Sequence, residues 1–144
     1  MQVGQVMTKN CKLVNANDSL QKAAQIMREA DVGILPVQEN DRLVGMISDR
    51  DLVIRGLAEG GDGKALVRDA MTQNVKYCFE DEDLDHILEN MAEIQVRRLP
   101  VINRQKRLVG IISLGDAARA CPPEPVGIAL SGVVMADTED QAVH

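Results

Sequence analysis

The sequence predicts an α+β fold, sandwich-like, made of two β-α-β-β-α units related by a pseudo-twofold and packed through their sheets. Three observations predict it. First, the chain repeats itself: residues 7–37, MTKNCKLVNANDSLQKAAQIMREADVGILPV, align without a gap on residues 71–101, MTQNVKYCFEDEDLDHILENMAEIQVRRLPV, with 11 identities in 31 positions. Second, each copy carries an apolar stripe at helical spacing. Third, each copy then carries two short apolar runs joined by a polar turn, the pattern of a hairpin. Only two copies are present, so an extended solenoid is not expected.

The elements follow in order. Lys12-Leu13-Val14 and Tyr77-Cys78-Phe79 are short strand candidates. Asp18 or Ser19 can cap a helix whose stripe is Leu20, Ala23, Ala24 and Met27. In the second copy Asp83 can cap, and Leu84, Ile87, Leu88 and Met91 form the stripe. Hairpins come next: Ile34 to Val37 with Leu43 to Ile47, and Leu99 to Ile102 with Leu108 to Ile112. Glu39-Asn40-Asp41 and Asn103 to Lys106 supply the turns. A second helix is expected from about Arg50 to Leu57, and again from Gly115 to Ala120.

These elements divide the chain into a first repeat at 1–63, a second at 64–121 and a tail at 122–144. The glycine-rich stretch GLAEGGDGKALV, from residue 56, reads as a linker. It lacks the Gly-Lys-Ser/Thr ending of a phosphate-binding loop and does not follow a strand. CPPEP after Ala120 stops the helix. The tail beyond it is expected to be flexible, or else to use the apolar Ile128 to Met135 to cover an edge strand or a partner.

Composition limits the function. The net charge is −6, with 16 basic against 22 acidic residues, which does not suit a nucleic-acid surface. Tyr77 and Phe79 are the only aromatics, too few for a base-stacking platform. No apolar run approaches the roughly 20 residues of a membrane span, and the N-terminus lacks the apolar core of a secretory signal. A cytoplasmic protein is expected, without membrane or nucleic-acid partners. Cys11, Cys78 and Cys121 have neither disulfide nor zinc-site spacing. The two histidines, His86 and His144, complete no nucleophile–base set, so an enzyme is not expected. The acids of EDEDLDH, residues 80–86, suit a solvated helix start better than a metal site.

One motif is said twice: LVGMISDRDL at 43–52 and LVGIISLGDA at 108–117. Ser48 and Ser113 stand where a strand gives way to a helix, with Asp51 and Asp116 three residues on. Free N–H groups at a helix start suit phosphate. An acceptor-only carboxylate suits the two hydroxyls of a ribose. The same residues also suit a reciprocal helix cap. Both roles can coexist.

The duplicated Met-Thr, the helix, the Leu-Pro-Val and the Leu-Val-Gly-x-Ile-Ser-x-x-Asp together resemble a tandem pair of cystathionine-β-synthase-type (CBS) domains, a Bateman module, of the stand-alone bacterial or archaeal kind. The resemblance covers residues 1 to about 121. It implies a homodimeric regulatory or energy-sensing module. Such a module binds an adenosine-containing ligand (AMP, ADP, ATP or S-adenosylmethionine) in clefts between the repeats and signals to a separate, unidentified protein. It implies no required cofactor. Thr8, Cys11 and the Val32-Gly33 turn would line the cleft of Ser113 and Asp116, and Thr72, Val75 and Val96 that of Ser48 and Asp51, with Ile111 a further ligand-binding candidate.

By the same resemblance, Arg97 or Arg98 would supply charge for phosphates in the second copy, where the first has Gly33-Ile34. Adjacent strand residues face opposite ways, so one of the two arginines serves a given cleft. Arg50, at a helix start, is either a phosphate ligand or half of a pair with Asp49 or Asp51. The bare Gly33-Ile34 keeps a second reading open, a constitutive dimeric scaffold that binds no nucleotide.

Overall fold

The computed structural model describes residues 1–143, with side-chain surroundings through Met135. The fold is α+β. Its contacts divide the chain into a first unit, Cys11–Val75, and a second unit, Met1–Asn10 joined with Lys76 onward.

The first unit holds β2 (Val14–Asn15), α1 (Leu20–Ala30), β3 (Ile34–Glu39), β4 (Arg42–Ser48), α2 (Asp49–Asp51) and α3 (Val67–Ala70). α2 runs on as a π-wound turn, Leu52–Leu57. The sheet order is β2-β3-β4, with β2 parallel to β3 and β3 antiparallel to β4. Ser19 caps α1, its hydroxyl accepting from the Lys22 N–H at 3.1 Å. The β3–β4 turn places Asn40 and Asp41 at φ 50° and 64°. That left-handed pair suits the right-handed twist of a two-residue hairpin, and these two residue types tolerate it. The apolar faces close over Val14, Leu20, Ala23, Met27, Leu35, Val37, Ile47 and Val67.

The second unit holds β1 (Thr8–Lys9), β5 (Cys78–Phe79), α4 (Leu84–Ile94), β6 (Arg98–Ile102), β7 (Leu108–Ser113), α5 (Leu114–Ala120) and α6 (Pro123–Val143). The sheet order is β1-β7-β6-β5. Leu84, Ile87, Leu88 and Met91, the stripe expected from spacing, are all buried in one core with Val101 and Ile112. Asp83 stands at the N-cap of α4, but its side chain makes no cap bond.

Two features depart from the sequence expectation. The repeat boundary at 63/64 separates the copies in sequence, whereas the compact units change hands at 10/11 and 75/76. Strand pairing is the reason. Thr8 and Lys9, which open the first copy, pair with Ile111 and Gly110 of the second. Thr72, which opens the second copy, bridges Met46 of the first, through N–H···O bonds of 3.1 and 2.8 Å. The doubled glycine permits this approach. A Cβ at Gly110 would lie 2.6 Å from the Thr8 carbonyl oxygen, and one at Gly45 would lie 2.7 Å from that of Thr72.

The tail expected to be flexible is instead the helix α6. Val126, Ala129 and Val133 are buried with the stripe of α4 in one core. Pro122, next after the cap residue Cys121, keeps α5 from running on, and Pro123 and Pro125 are tolerated in the first turn of α6, where the missing N–H has no partner to lose. Gly132 lets α6 approach α4 closely: a Cβ there would meet that of Ala92 at 2.8 Å.

Candidate functional site

Each unit presents the doubled motif at the same junction. In the second unit, β7 ends at Ser113 and α5 begins at Leu114. The Ser113 hydroxyl accepts from the Asp116 N–H at 3.0 Å, and Asp116 Oδ2 accepts from the Ser113 N–H at 3.0 Å. In the first unit the Ser48 hydroxyl accepts from the Asp51 N–H at 3.1 Å, and Asp51 Oδ2 accepts from the Ser48 N–H at 2.9 Å. Both are complete capping boxes, the alternative role expected from the spacing.

The boxes leave one oxygen of each acid for other work. Asp116 is buried, yet the Thr8 hydroxyl donates towards both its oxygens, at 3.3 and 3.4 Å. Arg119 Nη2 pairs with Oδ1. In the first unit Arg55 Nε lies 3.8 Å from Asp51 Oδ1, a longer pair on a more open acid. Sequence reasoning missed both arginines. Their signal was present as helical spacing, three and four residues after the acids, where side chains share a helix face.

The remaining expected residues fall in two groups. Thr8, Arg97, Arg98, Ile111, Ser113 and Asp116 belong to the second unit; Cys11, Gly33, Ser48, Arg50, Asp51 and Thr72 belong to the first. Thr8 and Ile111 are cross-strand partners, as are Arg98 and Ser113. That pairing brings an exposed arginine beside the serine of the turn. The Arg97 carbonyl accepts from the Leu114 N–H at 3.1 Å, and the Gly33 carbonyl accepts from the Asp49 N–H at 2.9 Å, so the aligned positions do the same backbone work. Gly33 sits under the Asp49 carboxylate, whose Oδ2 would lie 3.0 Å from an added Cβ. Arg50 is exposed, and its own N–H donates to Asp49 Oδ1 at 2.8 Å. Cys11 is half-buried, and burial pushes its thiol above the ordinary range.

Asp81 and Glu82, within residues 80–86, have structural partners. Arg104 binds Asp81 in a fork at 2.9 and 2.7 Å and holds that carboxyl below its ordinary range. Glu82 accepts from the Phe79 N–H at 3.0 Å. Among the described residues no three His, Cys, Asp or Glu side chains gather as metal ligands. No described helix is long and apolar enough to cross a membrane.

Known proteins resemble this chain in sequence and fold. The profile of the CBS domain matches twice, at residues 3–56 and 67–122. Hypoxic response protein 1 of Mycobacterium tuberculosis is 40% identical over 123 residues, 84% of this chain and 85% of that protein. A crystal structure of Hypoxic Response Protein I with two coordinated zinc ions has a TM-score of 0.76 at 40% identity, covering 85% of this chain and 100% of the other. The CBS domain pair of protein MJ0100, in complex with 5′-methylthioadenosine and S-adenosyl-L-methionine, has a TM-score of 0.72 at 30% identity, covering 83% and 94%. CBSX2 in complex with AMP has a TM-score of 0.70 at 32% identity, with the same coverage.

Proposed function

The chain belongs to the CBS domain family, as a tandem pair, and from that premise we propose that it is a regulatory module for an adenosine-containing ligand. The ligand class is AMP, ADP, ATP or S-adenosylmethionine. Asp116 and Asp51 take the ribose hydroxyls, and Ser113 and Ser48 lie at the phosphate side. Arg98, opposite Ser113 in the ladder, and Arg97 supply positive charge in the second unit. Thr8, Cys11, Gly33, Ile111, Arg50 and Thr72 complete the candidate set. The module works by binding and not by catalysis, in the cytoplasm, as a homodimer that signals to a separate protein.

One observation carries the reading. Asp116 is a buried carboxylate held at a strand–helix junction, and an equivalent acid stands at the equivalent junction of the other unit. Burying a carboxylate is costly, and the Ser113 N–H, the Thr8 hydroxyl and Arg119 offset that cost here; the matching cap in the first unit uses an acid 18% exposed, so a cap alone does not require the burial. The adenosyl ligands of the MJ0100 pair and of CBSX2 support the ligand class.

A scaffold that binds no nucleotide is the second reading. It is favoured by the completeness of both capping boxes, in which serine and aspartate satisfy one another within the motif. The two readings separate in thermal denaturation of the purified chain with each nucleotide and with S-adenosylmethionine. A ligand at 100 times its dissociation constant adds about 2.7 kcal/mol of stability, a midpoint shift of several degrees. The sensor reading expects that shift, and its loss when both Asp51 and Asp116 are replaced by alanine. No shift with any of these ligands leaves the scaffold.

A further inference from the structure

Asp116, assigned to the ribose in the reading above, is not an open acceptor. Oδ2 takes the Ser113 N–H, the Thr8 hydroxyl lies against both oxygens, and Arg119 Nη2 holds Oδ1. The arginine reaches in from solvent, its side chain 73% exposed against 7% for the acid. Its counterpart differs. The first unit is π-wound over Leu52–Leu57, and Arg55 falls four residues after the acid instead of three. Arg55 Nη1 donates to the Met71 carbonyl at 3.3 Å, while Nε stays 3.8 Å from Asp51. Asp51 is correspondingly more open, at 18%.

We infer that Arg119 is a charge-selective latch on the second-unit cradle, favouring phosphorylated over neutral adenosyl ligands. The inference rests on the ribose role of Asp116. Ribose hydroxyls that claim Oδ1 must displace Arg119. Arginine cannot shed its charge, so the freed guanidinium goes to water or to a new anion. A nucleoside offers no anion. A nucleotide carries one on the far side of the same sugar ring, within the reach of a long side chain. Asp116 is buried, so giving up its arginine costs more than breaking an exposed pair would, and that cost is repaid only where the freed guanidinium makes charge-assisted bonds to phosphate. Arg55, tied to the Met71 carbonyl, exerts no such selection, and the first-unit cradle accepts a neutral nucleoside more readily.

The test is calorimetric titration of adenosine and of AMP into the Asp51→Asn chain, which isolates the second-unit cradle. The added changes are Arg119→Gln and, separately, Arg119→Lys. AMP should bind about tenfold or more tightly than adenosine in Asp51→Asn, the worth of one charge-assisted contact. Arg119→Gln should bring the two affinities together, tightening adenosine and weakening AMP, whereas Arg119→Lys should keep the preference. An unchanged preference in Arg119→Gln, or equal weakening of both ligands, overturns the latch and leaves the ligand reading standing. Binding of neither compound to the wild-type chain overturns the latch, and the ligand reading falls with it when ADP, ATP and S-adenosylmethionine also fail to bind.

Discussion

The Thr8 hydroxyl donates to the carboxylate of Asp116 across 108 residues of sequence, at 3.3 Å. Thr72 has the aligned place in the other unit, yet it bonds through its backbone, to Met46. The difference gives a direct comparison. Thr8→Val should lower stability by about 1 kcal/mol, since it strips one donor from a buried acid. Thr72→Val should change it by less than half as much. Urea denaturation of the two variants measures both, and equal losses would refute the role given to the Thr8 hydroxyl.

The glycine of the doubled motif should be intolerant for a backbone reason. An added Cβ at Gly110 would press on the Thr8 carbonyl oxygen at 2.6 Å, and one at Gly45 on that of Thr72 at 2.7 Å. Backbone paired in a ladder has little freedom to yield. Gly110→Ala and Gly45→Ala should each cost about 1–3 kcal/mol, the usual range for overpacking. Gly33→Ala meets only the far end of the Asp49 side chain and should cost much less. Thermal midpoints of the three alanine variants decide the matter, and a Gly33→Ala loss as large as the others would count against it.

The repeat was legible by direct comparison of its two copies, and the stripes and hairpins because each is local: spacing within ten residues decides them, although Ala24 of the first stripe is exposed. Leu84, Ile87, Leu88 and Met91 are buried as their spacing predicts. The pairing of Thr8 with Ile111 was not legible from spacing. Nothing near Thr8 in sequence says which edge it will join; the doubled glycine was the available sign, and it reads as a sign only once the close approach is seen. Both capping boxes follow from the three-residue step between serine and aspartate. The arginines on the acids were missed because a helical neighbour three or four residues on is ordinarily a surface pair. The burial of Asp116 sets that pair apart, and burial is a tertiary fact.

The tail misled for a related reason. Its sequence is apolar in the middle but has no one-sided stripe, so it gives no periodic signal for a surface helix. Val126, Ala129 and Val133 nevertheless enter the core of the second unit. Ala129→Asp should place an unpaired carboxylate in that core and lift α6 from α4, costing about 2–4 kcal/mol. Hydrogen exchange should quicken along residues 84–94 while the first unit keeps its protection. Unchanged exchange along α4 would show that α6 contributes nothing to it.

Cys78 should behave as a core side chain with a pH signature. Burial, and then the nearby Glu82 charge, push its thiol from 9.0 up to about 12. The protonated form is favoured in the folded state, so its contribution is fully present below pH 9 and is lost as pH rises towards 12. Between those limits the unfolded chain sheds a proton that the folded chain keeps. Stability of the wild-type protein should therefore fall with pH over that window more steeply than that of Cys78→Ala, although the alanine variant starts lower for lost packing. A thiol reagent at pH 8 should modify the half-buried Cys121 in the native protein and reach Cys78 only on unfolding, because the thiolate is the nucleophile. Parallel pH profiles for the two proteins, or rapid native labelling of Cys78, would refute this account of the thiol.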